Sequence, residues 1–291
     1  MTSASLKNYL PLFKFRICSL ITFTAIVGLI SSSNAGVSVS ASTLLYLALV
    51  TMMASAGASA FNHYFDRDID LIMKRTEKRP LPAGHVAGSG RILIAATGLF
   101  IASILLSLKV LNPMVALHLF LGGFVYAIVY TVWLKRRSWI NIVIGGLAGS
   151  FAVLAGGASA SPEFCLLPVF LAVVMFFWTP SHFWSFAVLH REEYGRAGIP
   201  MLPNIIGDFK TARYVLLNTL LLVLSSLLPV WFGFLGSVYT ASAVIFGAFF
   251  IYRNIEFIRD QSKEIARRNF RASMIYLSGL FLSVILDISL R

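Results

Sequence analysis

The sequence predicts an all-α integral membrane protein with nine transmembrane helices, and three observations carry that prediction. Of 291 residues, 58% are hydrophobic and only 12% are charged, whereas soluble domains carry about 25% charged residues. Mean hydropathy is +0.81, more apolar surface than a soluble fold of this length can bury, and the same numbers exclude disorder. The apolar residues also fall into runs of the length that crosses a bilayer, about 17–25 residues. The two cysteines, Cys18 and Cys165, lie inside such runs. That excludes a secreted disulfide scaffold and a structural zinc site.

Nine spans are predicted, at about 17–33, 43–65, 92–110, 113–134, 138–159, 164–189, 213–233, 237–253 and 272–289. Several contain Gly or Pro, which bundled membrane helices tolerate. Span two carries the small-residue run Ala54–Ala60, suited to close helix packing. The basic residues punctuate the spans in order. Three precede span one, six follow span two, three follow span four, four follow span six and six follow span eight. Only Lys109 and Arg291 fall on the other side. This alternation predicts a cytoplasmic N-terminus and a C-terminus on the far side. The net charge of +12 is thereby a topology signal, and nucleic acid is not an expected partner.

Lys14 and Arg16 before Ile17–Ile30, followed by Ser31-Ser32-Ser33-Asn34-Ala35, also fit a cleaved signal peptide. The long polar tail favours a retained first span. No loop is long enough for a soluble domain, so residues 1–291 read as one polytopic domain.

Ten of the twelve acidic residues lie on the inferred cytoplasmic side; Glu163 and Asp287 are the exceptions. At the end of span two, Asn62, Asp66 and Asp70 are spaced i, i+4, i+8. A continuing helix puts their oxygens on one face. Stacked like charges need a cation, and magnesium suits hard oxygen ligands completed by water and phosphate. The alternative is a solvated helix end offset by Arg67 and Arg75. Lys74, Arg75, Lys78 and Arg79 follow at once. Carboxylates for the metal and Arg forks for phosphate oxygens together suit a magnesium-bound diphosphate, although Lys74 and Lys78 serve equally as membrane anchors.

These residues, Asn62-x3-Asp66-x3-Asp70 followed by Arg75-Thr76-x2-Arg79-Pro80-Leu81-Pro82, resemble the first signature of the intramembrane aromatic prenyltransferases, the UbiA superfamily. Further segments are similar to one subfamily, the protohaem IX farnesyltransferases (haem O synthases). They are Tyr130-Thr131-x2-Leu134-Lys135-Arg136, Asn141–Gly146, Trp178-Thr179-Pro180-x-His182-Phe183-Trp184, and Glu193-Tyr194 with Ala197–Pro203. The resemblance spans the chain from span one to span nine.

The resemblance implies nine helices around a lipid-accessible central cavity, in the bacterial cytoplasmic membrane, with the site at the cytoplasmic mouth. It implies Mg2+ held by Asn62, Asp66, Asp70 and, across the mouth, Glu193, with Glu192 as a weaker candidate. Arg75, Arg79, Lys135 and Arg136 then bind substrate. His182, a lone histidine within a span, is expected to contact a porphyrin or ligate its iron, or else to hydrogen-bond a neighbouring helix. Two departures, Ser150-Phe151 in place of a proline pair and Ser181 in place of a second proline, bear on the acceptor pocket. Tyr126, Tyr130, Phe177 and Trp178 either line the cavity or pack.

The implied reaction moves a farnesyl group from farnesyl diphosphate to a vinyl group of haem B, giving haem O for haem–copper oxidases. Haem A synthase or the oxidase assembly machinery then stands as a partner. The alternatives are a phenolic or quinone acceptor, and, in another class, an anionic lipid or metabolite transporter. Transporters place charges near the bilayer midplane, whereas these acids gather at one face. The charged segment Arg253–Arg271 reads as a helical extension in water or headgroups.

Overall fold

The computed structural model describes residues 9–33, 39–84, 89–161 and 163–291. Lys7 of the basic tail, and Asn34 and Ala35 of the candidate processing site, lie outside them. Among the described residues there are nine helices long and apolar enough to cross a membrane. They are α1 (Leu10–Ser33), α2 (Ala41–Phe65), α3 (Gly90–Val110), α4 (Pro113–Leu134) and α5 (Asn141–Ala160). The chain continues through α6 (Leu166–Leu189), α7 (Asp208–Trp231), α8 (Ser237–Arg259) and α9 (Lys263–Ser289). The nine expected spans are all present, and no strand occurs among the described residues.

At α8 and α9 the helices outrun the apolar spans, as the helical reading of Arg253–Arg271 expects. Hydropathy ends span eight near 253 and starts span nine near 272, but both helices run on through the charged segment to a break at Asp260–Ser262. Charged side chains cost nothing once the helix has left the bilayer, so helix and apolar run need not end together. Ser262 caps α9, and Glu264 pairs with Arg268 at 2.5 Å. Glu256 pairs with Arg253.

Neighbours in sequence pack as antiparallel pairs, and α1 closes the bundle by packing against α2, α5 and α9. Its contact with α5 depends on two glycines. A Cβ on Gly156 would lie 1.8 Å from the Ala25 carbonyl oxygen, and one on Gly28 would lie 2.1 Å from that of Val153. The small-residue run of α2 does the same toward α3, where a Cβ on Gly57 would sit 2.8 Å from the Ala96 oxygen. In a membrane, such contact of backbones replaces the hydrophobic drive that lipid cannot supply.

Buried polar groups tie the remaining helices. Pro180 inside α6 has no N–H for the preceding turn, and Asn218 of α7 donates into that turn at the Phe177 carbonyl. Ser181 lies in the same knot, against Thr219 Oγ1 at 2.9 Å. Ser150 donates to the Ala172 carbonyl at 2.8 Å, joining α5 to α6. Asp287, near the end of α9, accepts from the N–H groups of Gly236 and Tyr239. It therefore caps the positive end of α8.

If backbone contact between α1 and α5 holds the bundle, Gly156→Val should lower the melting temperature in detergent, since overpacking costs about 1–3 kcal/mol. Gly98→Val, where an added Cβ meets nothing, should melt close to wild type. Equal shifts would contradict the packing assignment.

Candidate active site

The acidic stripe forms across a helix junction. Helix α2 ends at Phe65, and a short helix, Arg67–Ile72, resumes after Asp66. The Asp66 N–H still bonds the Asn62 carbonyl and the Asp70 N–H the Asp66 carbonyl, at 2.9 and 2.8 Å. The i, i+4, i+8 face is therefore kept. Asn62, Asp66 and Asp70 are all buried and line one cavity of about 950 Å³.

Each carboxylate has one oxygen engaged and one free. Asp66 Oδ2 accepts from Lys135 Nζ at 2.5 Å and from Asn62 Nδ2 at 2.7 Å. Asp70 Oδ2 accepts from Arg79 Nη1 at 2.7 Å. Asp66 Oδ1 and Asp70 Oδ1 are buried with no hydrogen-bond partner. Two orphaned carboxylate oxygens one helical turn apart fit magnesium, which takes one or two carboxylates and fills its shell with water and substrate phosphate.

The other two expected metal ligands are placed differently. Asn62 Oδ1 accepts from Lys14 Nζ at 2.7 Å, so the amide positions Asp66 and does not offer a free oxygen. Glu193 sits on the helix Arg191–Arg196 at the mouth and does not line the cavity. Its carboxylate accepts from the Arg75 backbone N–H at 3.2 Å and meets His190 Nδ1 at 3.3 Å. Burial raises its pKa, but these two contacts and the Arg75 charge outweigh that and hold it below the usual range. Glu192 is exposed and paired with Lys263. Among the described residues no group of three or more His, Cys, Asp or Glu side chains forms a metal cluster.

The basic residues separate as well. Arg75, Arg79 and Lys135 line the cavity. Arg136 does not: it forks onto Asp68 at 2.7 and 2.6 Å and onto the Phe65 carbonyl, outside the site. That fork holds the Asp68 carboxyl below the usual range. The reason is the winding of α4, whose segment Val125–Leu134 is a π-helix, closed by the Lys135 N–H bonding the Tyr130 carbonyl. Wide turns of this kind recur at functional sites. Here the turn sends Lys135 inward and its neighbour outward.

The far half of the cavity is aromatic and apolar. His182 is stacked between Trp178 and Phe270, with ring centroids 4.2 and 4.4 Å away. Its Nδ1 lies 2.7 Å from Ser273 Oγ, whose own proton goes to the Phe270 carbonyl. Nδ1 must therefore donate, which leaves Nε2 as the unprotonated nitrogen of a ring that lines the cavity. Tyr126, Tyr130 and Trp178 also line it, whereas Phe177 does not. Ser150, Phe151 and Ser181, where the two departures noted in the sequence fall, do not line the cavity. Ile17 and Leu20 of α1 line the cavity and are exposed.

Two titratable lining residues, Lys14 and His63, were not singled out from the sequence. Lys14 read as a charge flanking span one, and His63 as one more residue between Asn62 and Asp66. The i, i+1 position of His63 beside the acidic stripe was the one available hint.

A family model for the UbiA prenyltransferase family matches residues 21–284. The chain belongs to that family. The protohaem IX farnesyltransferase 1 of Paramagnetospirillum magneticum is 48% identical over 282 residues, covering 97% of this chain and 98% of that relative. The protohaem IX farnesyltransferase of Thiobacillus denitrificans is 41% identical, covering 97% and 93%. Among solved structures, digeranylgeranylglyceryl phosphate synthase superposes with a TM-score of 0.81 at 22% identity, covering 97% of this chain and 98% of its own. A UbiA homologue from Archaeoglobus fulgidus bound to GPP and Mg2+ superposes with a TM-score of 0.64 at 15% identity, covering 96% and 99%. The fold of this chain is thus shared with solved UbiA homologues.

The inward and outward basic residues separate experimentally. Lys135→Met strips a buried carboxylate of its partner, a loss of about 3–5 kcal/mol, and should weaken binding of a farnesyl diphosphate analogue at least about tenfold. Arg136→Met removes an exposed pair worth about 0–1 kcal/mol and should stay within about fivefold of wild type. The reverse order, read by competition binding in nanodiscs, would contradict the placement.

Proposed function

We propose that this membrane prenyltransferase transfers a farnesyl group from farnesyl diphosphate to a vinyl group of haem B, forming haem O. The observation that carries the reading is the division of one cavity into two ends. Orphaned carboxylate oxygens and inward-facing cations stand at one end, and an aromatic pocket around His182 at the other. The names of the full-length relatives support the farnesyl donor and the protohaem acceptor.

The diphosphate binds at the charged end, where Arg75, Arg79 and Lys135 supply charge-assisted hydrogen bonds to its oxygens. Asp66 and Asp70 would hold magnesium, with Glu193 close by at the mouth. When bound, magnesium neutralises the diphosphate and acts on it as a Lewis acid. As the allylic C–O bond breaks, its electron pair leaves with the diphosphate, and the three basic side chains take up the growing negative charge. The stacked rings of Tyr126 and Tyr130, 5.8 Å apart, present π faces beside the same cavity. Aromatic faces stabilise a cation, here the farnesyl carbon. The vinyl terminal carbon attacks it, and the cation left beside the porphyrin captures water and releases a proton, giving the hydroxyethylfarnesyl group. The apolar walls keep bulk water from the farnesyl cation before attack.

His182 orients the acceptor in this reading. Its ring is fixed by Ser273 on its edge and by Trp178 and Phe270 on its faces. The alternation of basic residues supports a cytoplasmic mouth in the bacterial inner membrane and a C-terminus on the far side. Downstream, the product would pass to a haem A synthase or to oxidase assembly. No feature of the cavity favours a phenolic acceptor over haem.

Purified protein in nanodiscs, given farnesyl diphosphate, haem B and Mg2+, is expected to yield haem O by mass spectrometry. Asp66→Asn and Asp70→Asn should give none while still inserting, because each removes charge with little change of volume; Asp66→Asn also leaves buried Lys135 unpaired and should melt lower. Full turnover by either variant would sink the acidic assignment. A farnesylated 4-hydroxybenzoate without any haem product would overturn the acceptor.

A further inference from the structure

Among the lining residues outside the assignments above, Lys14 and His63 are placed at some cost. Lys14 has φ 46°, and it is the only non-glycine residue with positive φ among the described residues. Left-handed backbone is unfavourable for a side chain with Cβ, and such outliers gather where function holds them. Here the kink joins the turn Leu10–Phe13 to the helix Phe15–Ser33 and lets the side chain reach into the cavity. Its Nζ lies 2.7 Å from Asn62 Oδ1 and 3.4 Å from the Tyr126 hydroxyl.

His63 is 2% exposed, lines the same cavity, and has no hydrogen-bond partner on either ring nitrogen. Burying an imidazole with both nitrogens unpaired is unfavourable. The cations Lys14, Arg79 and Lys135 line the same cavity. A ring N–H in that company is complementary to an anion.

We propose that Lys14 and His63 are donor-binding residues, which together extend the cradle of Arg79 and Lys135 around the diphosphate of the prenyl donor. Lys14 supplies a cation from α1, and His63 a neutral N–H from α2. The proposal rests on the reading of the cavity as a prenyl diphosphate site. It also accounts for the engaged amide of Asn62: when Lys14 turns to a phosphate oxygen, Asn62 Oδ1 is released beside Asp66.

The test is competition binding in nanodiscs with two probes, a farnesyl thiodiphosphate and inorganic pyrophosphate, both with Mg2+, alongside a Soret titration of haem B. Lys14→Met is expected to weaken both diphosphate probes about tenfold to a hundredfold, the value of a charge-assisted bond. His63→Phe should weaken them about twofold to tenfold, as for a neutral bond. Lys14→Arg should keep most of the affinity, and haem binding should not change in any variant. Unaltered probe binding in Lys14→Met and His63→Phe would overturn the proposal. So would parallel loss of haem and probe binding, which marks a packing role. A wild-type protein that binds neither probe would instead remove the diphosphate reading itself.

Discussion

Everything at the charged end depends on two carboxylates, Asp66 and Asp70, buried where the membrane helix α2 ends. An unpaired buried carboxylate is too unfavourable to keep, so each must be met by a cation. Lys135 and Arg79 do this, but each takes one oxygen and leaves the other orphaned. Such a site is satisfied in charge and unsatisfied in hydrogen bonding. It is thereby prepared for a ligand that brings a metal to the free oxygens and phosphate to the cations. The surrounding structure serves this arrangement. The π-wound end of α4 delivers Lys135, the loop after the acidic stripe delivers Arg79, and a left-handed turn delivers Lys14.

The apolar end is built by the opposite principle. Its polar groups are turned into helix–helix contacts: Ser181 toward Thr219, Ser150 toward Ala172, and Trp178 Nε1 to the Ser273 carbonyl. What faces the cavity is aromatic surface with one fixed imidazole. Charge and apolar surface are thus held apart within a single cavity. A substrate pair with an anionic leaving group and a flat hydrophobic acceptor needs that separation.

Much of this was legible in the sequence because membrane physics leaves few choices. Apolar length located the nine spans, and period-four spacing placed Asn62, Asp66 and Asp70 on one face, even across the helix junction. The direction of individual side chains was not legible. Lys135 and Arg136 are adjacent and chemically alike, yet π winding turns one inward and the other onto Asp68. Lys14 carried the ordinary meaning of a basic residue before a span, and its positive φ has no mark in sequence. Asn62 had the right oxygen at the right spacing, but the hydrogen bond from Lys14 decides which way the amide faces. The helical reading of Arg253–Arg271 holds on both sides of the break at Asp260–Ser262, but the break itself was not legible, because a hydropathy run reports where lipid begins, not where helix does.

The central claim, that the carboxylates are poised for a metal brought together with a diphosphate, is tested most directly by linkage. Mg2+ affinity is measured by calorimetry in nanodiscs, with and without a non-hydrolysable farnesyl diphosphate analogue. Because Asp66 and Asp70 each spare a single oxygen, the metal should bind weakly alone and at least about tenfold more tightly with the analogue. By reciprocity, Mg2+ should tighten the analogue by the same factor. Equal Mg2+ affinity in the two conditions would contradict the account.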